Sequence, residues 1–284
     1  MSGWTTLVDA EALAAALGRN NDLAIVDCRT SLLDPAVAEA AYQQAHLPGA
    51  LYAHMQDDLS GRHVPGSGRH PWPEAAGFAS TLGAWGITPR HQVVAYDAGD
   101  GVFAARLWFL LRAFGHASVA VLDGGITRWT ALDLPLDAAV RAPVPAPPYP
   151  GEFDASRLLD ATQVQAHLAH GGMLVDVRAA NRFRGEAEPI DPVAGHVPGA
   201  VNRPCADNLS DGRFKPRETL ASEFRALLGA HAPADVAAMC GSGVTACHQL
   251  LAMEHAGLPG AKLFTGSWSG WIEDPARPVA TGEA

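Results

Sequence analysis

The sequence lacks any uninterrupted apolar run of the ~18 residues that a membrane-spanning helix needs. Its most apolar stretch, Val102–Phe114, is broken by Arg106 and Arg112. Cysteine is scarce, four in 284 residues and without close pairing, which excludes a disulfide framework. Basic charge is short as well: 20 Lys and Arg against 30 Asp and Glu leave a formal net charge of −10. Such a surface repels phosphate backbones, so no nucleic-acid partner is expected. Residues Met1 to Thr6 carry neither a basic n-region nor an apolar h-region, so the expectation is a cytoplasmic protein with no membrane partner. Neither His-Glu-x-x-His nor Cys-x-x-Cys occurs, and no metal or cofactor is expected.

What remains is globular material. Hydrophobic residues make up 48% and charged residues 18% of the chain, enough for two domains of roughly 100–150 residues each.

Those two domains are copies of each other. Leu7-Val8-Asp9-Ala10 returns as Leu158-Leu159-Asp160-Ala161, and in both the Asp is placed to cap a short helix. Two buried strands end in Asp-x-Arg, at Asp27 and Arg29 and again at Asp176 and Arg178. His46-Leu47-Pro48-Gly49-Ala50 returns as His196-Val197-Pro198-Gly199-Ala200. Val93–Asp97 returns as Val236–Cys240, each leading through a Gly-containing loop into a helical stretch. Within each copy short apolar strands alternate with helices, which predicts an α/β fold with a central, mostly parallel sheet. The predicted partition is a first domain over 1–140, a proline-rich linker over 141–152 and a second domain over 153–284.

Features common to both copies serve the scaffold they share, so Asp27/Asp176, Arg29/Arg178 and His46/His196 are expected to be buried polar groups satisfied locally. The sharpest difference is Asp97 against Cys240. Cys240-Gly241-Ser242-Gly243-Val244-Thr245-Ala246 follows a strand and opens a helix. A tight loop there turns backbone N–H groups inward and favours a thiolate nucleophile. Three chemistries use such a loop. A cysteine phosphatase needs Arg six positions after the nucleophile, where Ala246 stands. A dinucleotide site fits Gly241–Ala246 but lacks an acidic residue about 20 positions on. Sulfur transfer through a persulfide is the third.

The whole chain, over residues 5–275, resembles the tandem-domain rhodanese family. The resemblance rests on strand-Asp-x-Arg, Gly195–Ala200, Cys240–Cys247 and Gly266-Ser267-Trp268, which fall in family order. It implies two rhodanese-like domains, the first non-catalytic with Asp97 in place of Cys, the second carrying Cys240 as the persulfide-forming nucleophile. Gly241, Gly243, Val244 and Thr245 complete the loop that would bind the substrate. Gly241-Ser242 looks like the 3-mercaptopyruvate sulfurtransferases, with thiosulfate as the alternative donor and a non-catalytic anion- or partner-binding module as the alternative of another class. The acceptor implied is a thioredoxin-like protein, a small thiol or cyanide. Ser242 would pass or polarise a proton, and Arg182 would bind the donor's carboxylate. His70, in Arg69-His70-Pro71-Trp72-Pro73, falls where relatives place a His facing the loop. Two departures stand out: Ile190 and Asp191 follow Glu188-Pro189 where mercaptopyruvate enzymes carry a second Arg, and Gly270 stands where the family often has Glu.

Overall fold

The computed structural model describes residues 3–19, 22–31, 34–140 and 142–283. They form two compact units. One holds residues up to Gly61, Pro73–Phe153 and Asp211–Phe214; the other holds Arg62–Trp72, Asp154–Ser210 and Lys215 onward. The partition at 1–140 and 153–284 therefore does not anticipate that residues 62–72 pack in the second unit.

In the first unit the chain runs β1 (Leu7–Val8), α1 (Ala10–Ala16), β2 (Leu23–Asp27), α2 (Pro35–Gln44), β3 (Leu51–Tyr52), α3 (Ala75–Ala84), β4 (Gln92–Tyr96), α4 (Val102–Ala113), β5 (Val119–Leu122) and α5 (Gly125–Ala131). In the second it runs β6 (Leu158–Leu159), α6 (Ala161–Ala169), β7 (Met173–Asp176), α7 (Ala180–Phe183), β8 (Ala200–Asn202) and the short β9 (Leu209–Ser210). After β10 (Arg213–Phe214), which belongs to the first unit, it continues with α8 (Arg217–Leu228), β11 (Val236–Met239), α9 (Thr245–His255), β12 (Lys262–Phe264) and α10 (Ser267–Trp271).

The sheets have the same topology, β1-β5-β4-β2-β3 and β6-β12-β11-β7-β8, with every pair parallel. Parallel strands covered on both faces must be apolar throughout, and β4, β5 and β11 are buried along their whole length. Asp9 and Asp160 cap α1 and α6 as predicted, the second in a capping box with Gln163. One core gathers Leu13, Ile25, Val94, Tyr96 and Trp129; the other gathers Val164, Leu174, Met239, Phe264 and Trp268.

The shared polar residues have shared geometry. Arg29 donates to both oxygens of Asp27 and to the Ala45 carbonyl at 2.7 Å. Arg178 does the same with Asp176 and the Gly195 carbonyl at 2.7 Å. His46 exchanges backbone bonds with Asp137, and His196 with Ala280. These are scaffold contacts, and they fasten the segment that follows the last helix of each unit.

The proline-rich segment, whose first residue Arg141 lies outside the described residues, is not a free tether. Ala146 N–H donates to the Gly83 carbonyl at 2.8 Å and Tyr149 N–H to the Ala79 carbonyl at 3.0 Å, both on α3 of its own unit. Proline cannot take a place in a central strand, but here the intervening N–H groups find carbonyls on a neighbouring helix.

Candidate active site

Buried β11 ends at Met239, and α9 begins five positions after Cys240. Between them Cys240 is 2% exposed. Its N–H donates to Ser267 Oγ at 3.1 Å, while its carbonyl accepts from Trp268 N–H at 3.0 Å. The Gly241 carbonyl accepts from Ser269 N–H at 2.9 Å. The start of α10 thus clamps the Cys240 backbone on one side. Cys247, one turn into α9, donates its Sγ–H to the Gly243 carbonyl at 3.3 Å, which ties the loop to the helix it opens.

The corresponding loop of the first unit, with its left-handed residue at Gly101 instead of one position earlier as at Gly243, turns its amides onto a side chain. There α4 begins five positions after Asp97. Gly99 and Gly101 donate N–H to Asp97 Oδ1 at 3.0 Å, and Phe103 and Ala104 donate to Oδ2 at 2.9 and 3.1 Å. A carboxylate built into the chain fills the cradle. Burial, and secondarily the charge of Asp100, nevertheless raises the Asp97 carboxyl to about 6, against the opposing pull of those amides.

A pH dependence follows. The folded chain holds this proton more tightly than the unfolded chain, so the contribution to stability is complete below about pH 4 and is lost as pH rises through about 6. At about 1.4 kcal/mol per pH unit the loss is about 3 kcal/mol. Chemical denaturation of the wild type and of Asp97→Asn at pH 4 and pH 7 should show the difference between them moving by this amount against the wild type. A difference that stays constant with pH contradicts the assignment.

Residues 62–72 bring two further side chains to the loop. Glu273 accepts the N–H groups of Gly66 and Gly68, and Ser269 Oγ accepts Arg69 N–H at 3.1 Å. A Cβ on Gly270 would overlap the Gly66 carbonyl oxygen, so no side chain fits there. The departure at Gly270 is therefore steric, and a carboxylate three residues on, Glu273, holds the segment. So fastened, His70 places Nδ1 2.8 Å from Ser242 Oγ, with both residues buried.

Around Gly241 lies a charged group that the sequence shows only in part. Arg182, on α7, donates Nε and Nη2 to the two oxygens of Glu188 at 3.1 and 2.6 Å, and Nη2 also to Asp191 at 3.3 Å. Glu188 is shared with Arg178 at 3.3 Å. Asp191, through its other oxygen, pairs with Arg69. Arg69 stands just before His70, a neighbourhood that could have signalled it. Asp191 is one of the residues of the departure after Glu188-Pro189. Val244 and Thr245 are the last loop residue and the first of α9.

This assembly is a cysteine on a strand–loop–helix turn with a Ser–His pair and two guanidinium groups in the same loop cluster. A model of the rhodanese-like domain matches residues 9–132 and again 160–274. The chain belongs to the rhodanese-like family. Among its relatives, "Probable 3-mercaptopyruvate sulfurtransferase" of Pseudomonas aeruginosa is 49% identical over 281 residues, covering 98% of each chain. A Mycobacterium tuberculosis protein provisionally named a thiosulfate sulfurtransferase is 38% identical over 284 residues, again covering 98% of each. The crystal structure of a 3-mercaptopyruvate sulfotransferase of Escherichia coli superposes with a TM-score of 0.77 at 29% identity, covering 94% of this chain and all of that one. Both units carry the rhodanese-like sheet. A cleft of about 520 Å³ in the first unit, lined by Trp4, Arg19, Arg90 and Gln92, contains none of the site residues above. Among the described residues, no helix is long and apolar enough to cross a membrane.

Proposed function

We propose that this rhodanese-like chain is a sulfurtransferase that takes sulfur from 3-mercaptopyruvate and passes it to a thiol or to cyanide. The observation that carries the reading is Cys240 at the loop with the Ser242–His70 pair at 2.8 Å beside it. The relatives named for this donor support it.

In the cycle Cys240 Sγ, as thiolate, attacks the donor sulfur. The S–C bond of the donor breaks and its electron pair stays on the methylene carbon as the enolate of pyruvate. That carbon takes a proton through Ser242 Oγ, with His70 restoring it from water. The donor's own thiol proton remains on the outer sulfur of the persulfide. An acceptor thiolate then attacks that outer sulfur, the S–S bond breaks, and the electron pair returns to Cys240. No external oxidant or reductant enters.

The Asp97 cradle of the twin loop supports the loop's role. The loop after Cys240 turns through its own left-handed glycine, Gly243, and its inward amides would hold the persulfide's charge as an oxyanion hole holds oxygen. Arg182 supplies positive charge for the donor's carboxylate. A cycle that runs through free thiols suits a reducing compartment, the cytoplasm, with a thioredoxin-like protein or a small thiol as acceptor.

A second reading, thiosulfate as donor, draws on the Mycobacterium tuberculosis relative and on the two guanidinium groups, which suit a dianion. One experiment separates the readings. Reduced protein mixed with each donor and examined by intact-mass spectrometry should gain one sulfur atom, faster with 3-mercaptopyruvate. Faster loading from thiosulfate reverses the donor assignment, and no gain with either donor overturns the enzyme reading.

A further inference from the structure

Arg182 is the residue the family resemblance offers for the donor's carboxylate, yet its geometry leaves it poorly equipped to act alone. The parallel N–H groups on Nε and Nη2, the pair that grips a carboxylate bidentately, already both donate to Glu188. Arg69 is arranged the other way. It donates Nη1 to Asp191, and among the described residues its guanidinium makes no other side-chain bond. Its Nε and Nη2 therefore form an unengaged fork.

That fork lies over the loop. Of the atoms around Gly241, Arg69 Nη2 is nearest the place a Cβ would take, at 3.1 Å, with Arg182 Nη2 at 3.7 Å and Asp191 Oδ2 at 3.8 Å. The lack of a side chain at Gly241 is what lets both guanidinium groups approach the residue after the nucleophile. Asp191, 2% exposed, bridges them with one oxygen each and holds them side by side. Arg69 is also the outermost member of the cluster: its side chain is 35% exposed, against 16% for Arg182 and 3% for Glu188. An incoming anion meets it first. Burial lowers the Arg69 guanidinium from its ordinary value while the sulfur of Cys240 acts to raise it. An Arg nevertheless stays charged throughout the working range.

We propose that Arg69 is a specificity-determining residue: its open fork, set beside Arg182 by Asp191, binds the carboxylate of the sulfur donor above Gly241. This rests on the reading of the donor as 3-mercaptopyruvate. It assigns Asp191 a positioning role. The second guanidinium comes from residues 62–72, and Asp191 is what holds it.

The test pairs two donors with two variants. The donors are 3-mercaptopyruvate and 1-mercaptopropan-2-one, which keeps the thiol and ketone and lacks the carboxylate. Arg69→Met should lower kcat/KM for 3-mercaptopyruvate roughly 10- to 100-fold, the range for a lost bond to a charged group, mainly through KM. On the uncharged ketone the same variant should lose less than about 3-fold. Arg69→Lys keeps the charge and can keep the pairing with Asp191 but removes the fork. It should fall between wild type and Arg69→Met on 3-mercaptopyruvate and match wild type on the ketone. Equal losses on both donors, or no loss on 3-mercaptopyruvate, overturn the role of Arg69, and the Lys variant decides the matter if the Met variant does not fold. A wild type that gains no sulfur from 3-mercaptopyruvate overturns the functional reading itself, and this inference with it. The two failures are thus told apart by the wild-type control.

Discussion

Cys240→Ser should lower sulfur transfer from 3-mercaptopyruvate by at least about 10⁴-fold, because Cys240 is the proposed site of the persulfide and losing a covalent nucleophile removes the reaction path altogether. Pyruvate release measured in steady state checks the rate, and intact mass checks that no sulfur is gained. The fold should survive: the exchange is nearly isosteric, and burying one hydroxyl costs about 1–3 kcal/mol. Neither Cys28 nor Cys247 should substitute. Cys28 is buried, and burial, reinforced by Asp27, Asp97 and Asp58, pushes its thiol well above the ordinary range. Cys247 is buried with its Sγ engaged by the Gly243 carbonyl. Cys28→Ser and Cys247→Ser should therefore each retain transfer within about 3-fold of wild type. A Cys240→Ser protein that still releases pyruvate at wild-type rate would place the chemistry elsewhere.

The contrast between Asp97 and Cys240 was legible because duplication provides an internal control. Two loops of one length follow corresponding strands, and the residue at the strand end changes from a carboxylate to a thiol. The same logic identified Asp27, Arg29 and their partners Asp176 and Arg178 as scaffold, since a bidentate pair closed by a carbonyl is a local arrangement that a short motif encodes. The parallel sheets were legible for a similar reason: strands buried on both faces are continuous apolar runs.

What stayed hidden depends on contacts between residues far apart in sequence. Nothing in Arg62–Trp72 has helical or alternating periodicity, and its attachment to the second unit rests on Glu273, Ser269 and the bare backbone at Gly270, some 200 positions away. His70 was recognisable only through resemblance, and Arg69 beside it carried no pattern of its own. Asp191 was visible as a departure from the family. Its meaning, a bridge between two guanidinium groups, exists only once Arg69 and Arg182 are seen on either side of it. The proline-rich segment likewise read correctly as non-helical, while its hydrogen bonds to α3 lay outside any local signal.

The same cluster gives the largest expected effect on stability. Glu188 is 3% exposed and is the carboxylate on which Arg182 and Arg178 both converge, while it also accepts the N–H groups of Ile190 and Asp191 at 3.1 Å. Glu188→Ala would take from Arg182 its bidentate partner and from Arg178, itself only 1% exposed, its second carboxylate, leaving them Asp191 and Asp176 respectively. Breaking a buried pair by removing one partner costs about 3–5 kcal/mol, and because each guanidinium keeps one carboxylate the loss should lie at the lower end of that range. Glu188→Gln keeps the shape and an accepting oxygen but turns an amide N–H toward the guanidinium groups, so it should recover only part of that loss. Urea unfolding monitored by tryptophan fluorescence, which follows Trp268 stacked near Arg178 at 4.8 Å, would report both values. The chemistry should suffer as well: without Glu188, Arg182 loses the two bonds that orient it, and the 190–191 backbone that presents Asp191 to Arg69 is released. KM for 3-mercaptopyruvate should rise in Glu188→Gln while loading from the uncharged ketone changes little. If Glu188→Ala proves as stable as wild type, the carboxylate is not what holds the cluster together, and the ordering of Arg69, Asp191 and Arg182 around Gly241 must come from the loop itself.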